Sequence, residues 1–207
     1  MVFPKEIMTN SMNTLVVIQG PIVTFGQGPN NSVEGFSSTA CIEKNVAMIT
    51  ELGLQHIYVV WRPDFEKNRE YFSDLEKKKV NYLVIDEPQR PDPDHRIKHH
   101  YSVLKAITAC KAHRNFDMII KIRSDMEIPK KIFSWCCERI EGDVKFVVSE
   151  MHSRPFYCGD FVYAARTDDM LRFLATMVSK QDAMFHPTIA VDIGIALVQS
   201  LGFEFRL

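Results

Sequence analysis

The stretch Met118-Ile119-Ile120-Lys121-Ile122-Arg123-Ser124-Asp125-Met126-Glu127 constrains this chain more than any other. Its first half is apolar and its second half is charged. A short, nearly continuous apolar run reads as a strand buried on both faces, as in a parallel sheet covered by helices. Such sheets bind ligands in the crevice outside the carboxyl ends of their strands. Residues two apart in extended chain project to one side, so Asp125 and Glu127 are expected to converge at that edge. Paired carboxylates there suit a hard divalent cation, Mg²⁺ or Mn²⁺, which commonly shares its shell with substrate phosphates. The pattern points to handling of a nucleotide diphosphate.

The rest of the chain repeats the alternation. Thr14–Ile18, His56–Trp61 and Tyr82–Ile85 read as strands, and so do Val144–Val148 and Phe161–Ala165. Helical spacing of apolar residues predicts helices over Ser37–Leu52 (Ile42, Val46, Ile49), Phe65–Lys79 (Phe65, Phe72, Leu75) and Arg96–Arg114 (Ile97, Tyr101, Leu104). Pro129 opens a further helix to about Ile140, and Asp168–Val178 and Ala190–Ser200 complete the set. Gly53 stops the first helix. Strands alternating with helices imply βαβ units, right-handed crossovers and an α/β fold. The expected architecture is a Rossmann-like, mostly parallel central sheet flanked by helices on both faces. One domain spans 1–207. Phe203-Glu204-Phe205-Arg206-Leu207 reads as mid-strand, so the fold is either minimal or truncated at its C-terminus.

Composition narrows the partners. Lys+Arg of 25 against Asp+Glu of 26 gives a net charge of -1, which offers a nucleic-acid backbone no basic footprint. The five cysteines are odd in number and lack zinc spacing, and Cys136-Cys137 fall inside a helical pattern as buried thiols. A reducing compartment follows. The start, Met1-Val2-Phe3-Pro4-Lys5-Glu6, has no signal-peptide pattern, and no segment reaches the roughly 18 apolar residues that span a bilayer. The reading is cytoplasmic, with peripheral contact at the inner membrane face left open. The sequence sets no oligomeric state.

Several landmarks then occur in a consistent order over roughly residues 14–175. They are Val16-Val17-Ile18-Gln19-Gly20-Pro21-Ile22, Tyr58-Val59-Val60-Trp61, Ser102-Val103-Leu104-Lys105-Ala106, Lys121-Ile122-Arg123-Ser124-Asp125 and Gly159-Asp160-Phe161-Val162. Together they resemble the WavE-type lipopolysaccharide synthesis proteins, a family of GT-A glycosyltransferases. The fourth block matches the family's K-I-R-[ST]-D pattern. The fifth departs from its S-D-W-F block, with Gly159 for Ser and Phe161 for Trp. The resemblance implies a GT-A-like fold and transfer of a sugar from a nucleotide-sugar donor to a glycan or glycolipid acceptor. It also implies nucleotide contact by Gln19, Gly20 and Pro21.

Individual residues carry alternatives. Asp125 is the metal and diphosphate candidate, with Glu127 as a second ligand; helix capping or a pair with Arg123 is the bland alternative. Arg123 pairs with Asp125 or with a phosphate, since its fork suits either. Arg96 and Lys98, at a helix start near the ligand edge, suit phosphate. Asp92 and Asp94 form a competing carboxylate pair in a proline-rich loop, where Asp94 also suits a helix cap. His95 and His99 have the spacing of zinc proteases, but Arg96 replaces the required glutamate. Gly26-Gln27-Gly28 completes no phosphate-loop pattern and reads as loop. Sugar transfer with inversion needs a carboxylate base, worth roughly 10²–10⁴-fold. Asp160 is the first candidate, with Asp192 and His186 behind it. Asp168-Asp169 charge a helix start. The runner-up enzyme is a sugar nucleotidyltransferase, against which the absence of Lys and Arg from Gln19–Phe25 counts. A non-catalytic binding relative is the third reading.

Overall fold

The computed structural model describes residues 12–27, 33–89, 96–148, 161–179 and 189–202. The chain opens with β1 (Thr14–Gln19), a hairpin of β2 (Val23–Gln27) and β3 (Val33–Ser37), and helix α1 (Thr39–Glu51). It continues with β4 (Gln55–Trp61), α2 (Arg62–Lys67), α3 (Arg69–Lys77) and β5 (Tyr82–Ile85). Then come α4 (Arg96–Lys111), β6 (Met118–Arg123) and α5 (Lys130–Glu141). The elements β7 (Phe146–Val148), β8 (Val162–Arg166), α6 (Thr167–Ser179) and α7 (Ile189–Leu201) complete it.

A six-stranded sheet runs in the order β5-β4-β1-β6-β8-β7. Strands β5, β4, β1 and β6 pair in parallel, whereas β8 is antiparallel to both its neighbours. Every residue of β1 is buried, because strands flank it on both sides and helices cover both faces. Val16, Ile18, Ile120 and Ile122 face a core shared with Ile42, Phe72 and Phe133. Leu15, Val17 and Ile119 face the opposite core, with Val103, Phe173 and Ile193. Strand alternation thus divides one apolar run between two layers, α1, α3 and α5 on one side and α4, α6 and α7 on the other. Each fully buried aliphatic contributes about 1.5–3 kcal/mol.

The α/β fold with a mostly parallel, helix-flanked sheet agrees with the sequence reading. Three local features differ. Gly26 and Gln27, read as loop, belong to the antiparallel hairpin, where Gly26 pairs with Glu34. The single helix expected over Phe65–Lys79 is two, broken at Asn68 with φ −126° and ψ 33°. There the Asn68 side chain donates to the Asp64 carbonyl at 2.7 Å, competing with helical continuation. The reversed strand β8 has no sequence marker. The expected strand at Phe203–Leu207 lies outside the described residues.

Candidate functional site

From β1 the chain moves outward through β4 to β5, then returns to the other side of β1 as β6. The β1/β6 boundary is therefore where the strand order reverses, the position at which open α/β sheets bind ligands. The last residues of the two strands, Gln19 and Arg123, are register partners.

Two short segments lock together there. The Ser124 amide donates to the Gln19 carbonyl at 2.9 Å, and the Ser124 hydroxyl donates to the Pro21 carbonyl at 3.0 Å. Tyr58, at the neighbouring strand, donates its hydroxyl to the Gly20 carbonyl at 3.1 Å. Burial raises the Tyr58 phenol well above its ordinary range, so it remains a donor. Gly20 has φ +140°, and a Cβ at that position would lie 2.3 Å from Ser124 Oγ. Glycine is required by both the backbone angle and the close approach. Gln19 is 2% exposed, and its Oε1 is buried without a hydrogen-bond partner. A buried acceptor left unmet costs about 1–3 kcal/mol, so this atom is one that a ligand N–H or O–H would satisfy.

Arg123 and Asp125 form a two-pronged pair. Arg123 Nε donates to Asp125 Oδ1 at 2.8 Å and Nη2 donates to Oδ2 at 2.6 Å. The guanidinium also lies 5.5 Å from the centroid of the Phe161 ring. Glu127 instead accepts from Lys44 of α1 at 2.7 Å. The extended path assumed for residues 123–127 is corrected by the structure. Strand β6 ends at Arg123, and Ser124 and Asp125 lie in a turn. The alternation that would aim Asp125 and Glu127 at one point does not extend past the strand.

Asn45 explains why the following loop holds its course. It is fully buried on α1. Its side-chain nitrogen donates to the Met126 carbonyl at 2.7 Å, and its oxygen accepts from the Ile128 amide at 3.0 Å. Glu127 thus sits between two pinned neighbours. For a divalent ion bridging Asp125 and Glu127 the fit is poor: both oxygens of one carboxylate accept from Arg123, and the other carboxylate is held by Lys44. No group of three or more His, Cys, Asp or Glu residues able to hold a metal occurs among the described residues.

The remaining sequence candidates divide. Gln19, Gly20, Pro21, Arg123 and Asp125 come together. Arg96 opens α4, but its side chain lies outside the described residues. Lys98 donates to Glu87 at 2.8 Å. Asp160, Asp92, Asp94, His95 and His186 lie outside the described residues, and of Asp192 only the backbone position in α7 is described. Asp168 and Asp169 occupy the first turn of α6, where Asp169 pairs with Arg172 at 2.6 Å.

Two residues escaped the sequence reading. Asn45 carries no local signal beyond being polar on an apolar helix stripe. Lys121 does: it is a cation in the middle of a buried run. It is 2% exposed, with Nζ 4.8 Å from the Tyr163 ring centroid. His100, 3% exposed, stacks near the same ring at 6.2 Å between centroids. On the opposite face, an apolar cavity of about 550 Å³ is lined by Met126, Ile128, Trp135, Val147 and Phe161, beginning where the post-β6 loop leaves Asp125.

The fold is that of an α/β protein whose strand order reverses between β1 and β6, and solved structures share it. The chain is similar to 4-diphosphocytidyl-2C-methyl-D-erythritol synthase from Anaerococcus prevotii DSM 20548, with TM-score 0.54, 11% identity, and coverage of 91% of this chain and 83% of that one. It is similar also to another crystal structure of a 4-diphosphocytidyl-2C-methyl-D-erythritol synthase, with TM-score 0.51, 10% identity, and coverage of 93% and 87%. At these identities the likeness is one of fold. No family model matches the chain, and no curated protein matches it.

Proposed function

We propose that this chain is a transferase that binds a nucleotide-sugar donor at the β1/β6 edge and passes the sugar to a glycan or glycolipid acceptor. The observation that carries the reading is the convergence of Gln19-Gly20-Pro21 with Arg123-Ser124-Asp125 at the switch point. These are also two of the blocks on which the resemblance to WavE-type proteins rests. Gly20 permits close backbone approach, Gln19 offers an unmet acceptor, and Arg123 supplies a cation suited to phosphate. Stabilising charge that develops on a departing diphosphate is the largest contribution such a site makes. The proton of the acceptor hydroxyl needs a base. Asp160 remains the candidate, because Phe161 and β8 begin at this same edge. Lipopolysaccharide or another surface polysaccharide is the proposed acceptor class.

Nucleotidyl transfer is the second reading, favoured by the fold shared with two diphosphocytidyl-methylerythritol synthases. Against it, the chain after β1 enters β2 within three residues of Gly20, and Gln19–Phe25 contains no Lys or Arg to hold a triphosphate. Product analysis separates the two. Incubation with a panel of UDP-, GDP- and CDP-sugars and an acceptor extract should release nucleoside diphosphate without pyrophosphate. Pyrophosphate release from a nucleoside triphosphate and a sugar 1-phosphate would establish the second reading instead. Donor binding with no product from either mixture would identify a binding module.

A further inference from the structure

We infer that Asp125 is a positioning residue, which holds the Arg123 guanidinium toward an anionic ligand, and is not a ligand to a divalent ion shared with Glu127; this rests on the diphosphate-binding reading above. Three observations carry it. First, both carboxylate oxygens are engaged: Oδ1 accepts from Nε at 2.8 Å and Oδ2 from Nη2 at 2.6 Å. Charge-assisted, two-pronged pairs of this kind are the strong ones. Second, the side chains are only 26% and 16% exposed, so water screens the pair little, and a cation at Asp125 would meet the guanidinium charge at close range. Third, the partner carboxylate points elsewhere. Glu127, 51% exposed, is bonded to Lys44, 61% exposed, and Asn45 pins the residues on either side of Glu127.

The arrangement has a purpose that a lone arginine would lack. A guanidinium on a free side chain samples many orientations, and ordering it on ligand binding costs rotamer entropy. Asp125 on one edge and the Phe161 ring, 5.5 Å from the guanidinium carbon, hold Arg123 in one orientation beforehand. Gln19, its register partner, places an unmet acceptor on the neighbouring strand end. A ligand carrying both a negative group and an N–H or O–H suits this pairing. A nucleoside diphosphate carries both.

The test uses inorganic pyrophosphate and Mn²⁺ as separate probes on the full chain. Calorimetry in EDTA should show pyrophosphate binding to wild type. Asp125→Ala and Arg123→Lys should each weaken it by about tenfold or more, because Lys keeps the charge but loses the fork. Asp125→Asn, which retains an acceptor oxygen, should fall between. Urea midpoints of the variants separate loss of anion binding from loss of fold. Paramagnetic resonance of Mn²⁺ titrated into ligand-free protein should show no saturable site that Asp125→Ala removes. Saturable Mn²⁺ binding that is lost in Asp125→Ala, or pyrophosphate binding that appears only with Mn²⁺, would overturn the inference while leaving the transferase reading in place. Absence of pyrophosphate and nucleoside diphosphate binding in both EDTA and Mn²⁺ would overturn the two together.

Discussion

Ser124 fills the space that a side chain at Gly20 would need. Its hydroxyl sits 2.3 Å from where a Cβ on Gly20 would be built, and that hydroxyl donates to the Pro21 carbonyl. Gly20→Ala is therefore expected to lower unfolding free energy by roughly 2–4 kcal/mol, through steric overlap and a φ of +140° together. The double variant Gly20→Ala/Ser124→Gly removes the overlap but not the backbone strain. Urea denaturation should show it recovering only part of the loss. Full recovery would mean that the angle carries no strain, and no recovery would mean that the overlap is irrelevant.

Asn45, itself fully buried, joins α1 to the loop after β6 through two hydrogen bonds, one buried and one partly buried. Replacement by leucine preserves volume but leaves the Met126 carbonyl and Ile128 amide unpaired. The expected loss is roughly 2–4 kcal/mol. Chemical unfolding with an unchanged m-value would be the supporting result; a loss below 0.5 kcal/mol, on the order of a surface substitution, would contradict it.

His56 has a buried Nε2 without a partner, and burial holds its pKa below the ordinary value of 6.5. The unfolded chain therefore binds a proton that the folded protein resists. Stability is unaffected by this group above the unfolded pKa and declines as pH falls below it, down to the folded pKa. Thermal melts between pH 7.5 and 5.5 should show a steeper decline for wild type than for His56→Leu. Parallel curves would remove His56 from the account.

Cys136 and Cys137 are both buried on α5, and burial pushes the Cys136 thiol up to about 12. Since the thiolate is the reactive form, alkylation at neutral pH should spare both in the native protein. Peptide mass mapping after brief iodoacetamide treatment should find them unmodified until denaturant is added. Cys41, which is partly exposed, should react first. Rapid native labelling of Cys136 would show that α5 opens more readily than its packing implies.

Much of this architecture was legible because the dominant signals are local. Unbroken apolar runs such as Leu15–Ile18 and Met118–Ile120 announce buried strands, and the 3.6-residue spacing of Ile42, Val46 and Ile49 announces a covering helix. The site edge follows from the same signal, since a run that ends in charge marks a strand's carboxyl end. What escaped depends on pairing. The direction of β8 is set by β6 and β7, not by its own residues, and the hairpin around Gly26 is made by partners such as Glu34, eight positions on. The path of the chain from Asp125 to Glu127 was hidden for a related reason. The strand's alternation ends at Arg123, and Asn45, some eighty positions distant in the chain, fixes the loop that follows.

The reversed strand has a consequence for how such a chain can change. Because β7 and β8 run in opposite directions, Val148 leaves the sheet and Val162 re-enters it at one rim, with Val148 paired to Tyr163. The rungs below that point, Val147 with Ala164 and Phe146 with Ala165, are indifferent to how many residues intervene. Lengthening or rewriting the connection leaves the ladder in step, while a single insertion inside β8 would turn every following side chain to the wrong layer. Change between Val148 and Val162 is therefore cheap for the interior, whereas change inside β8 is not.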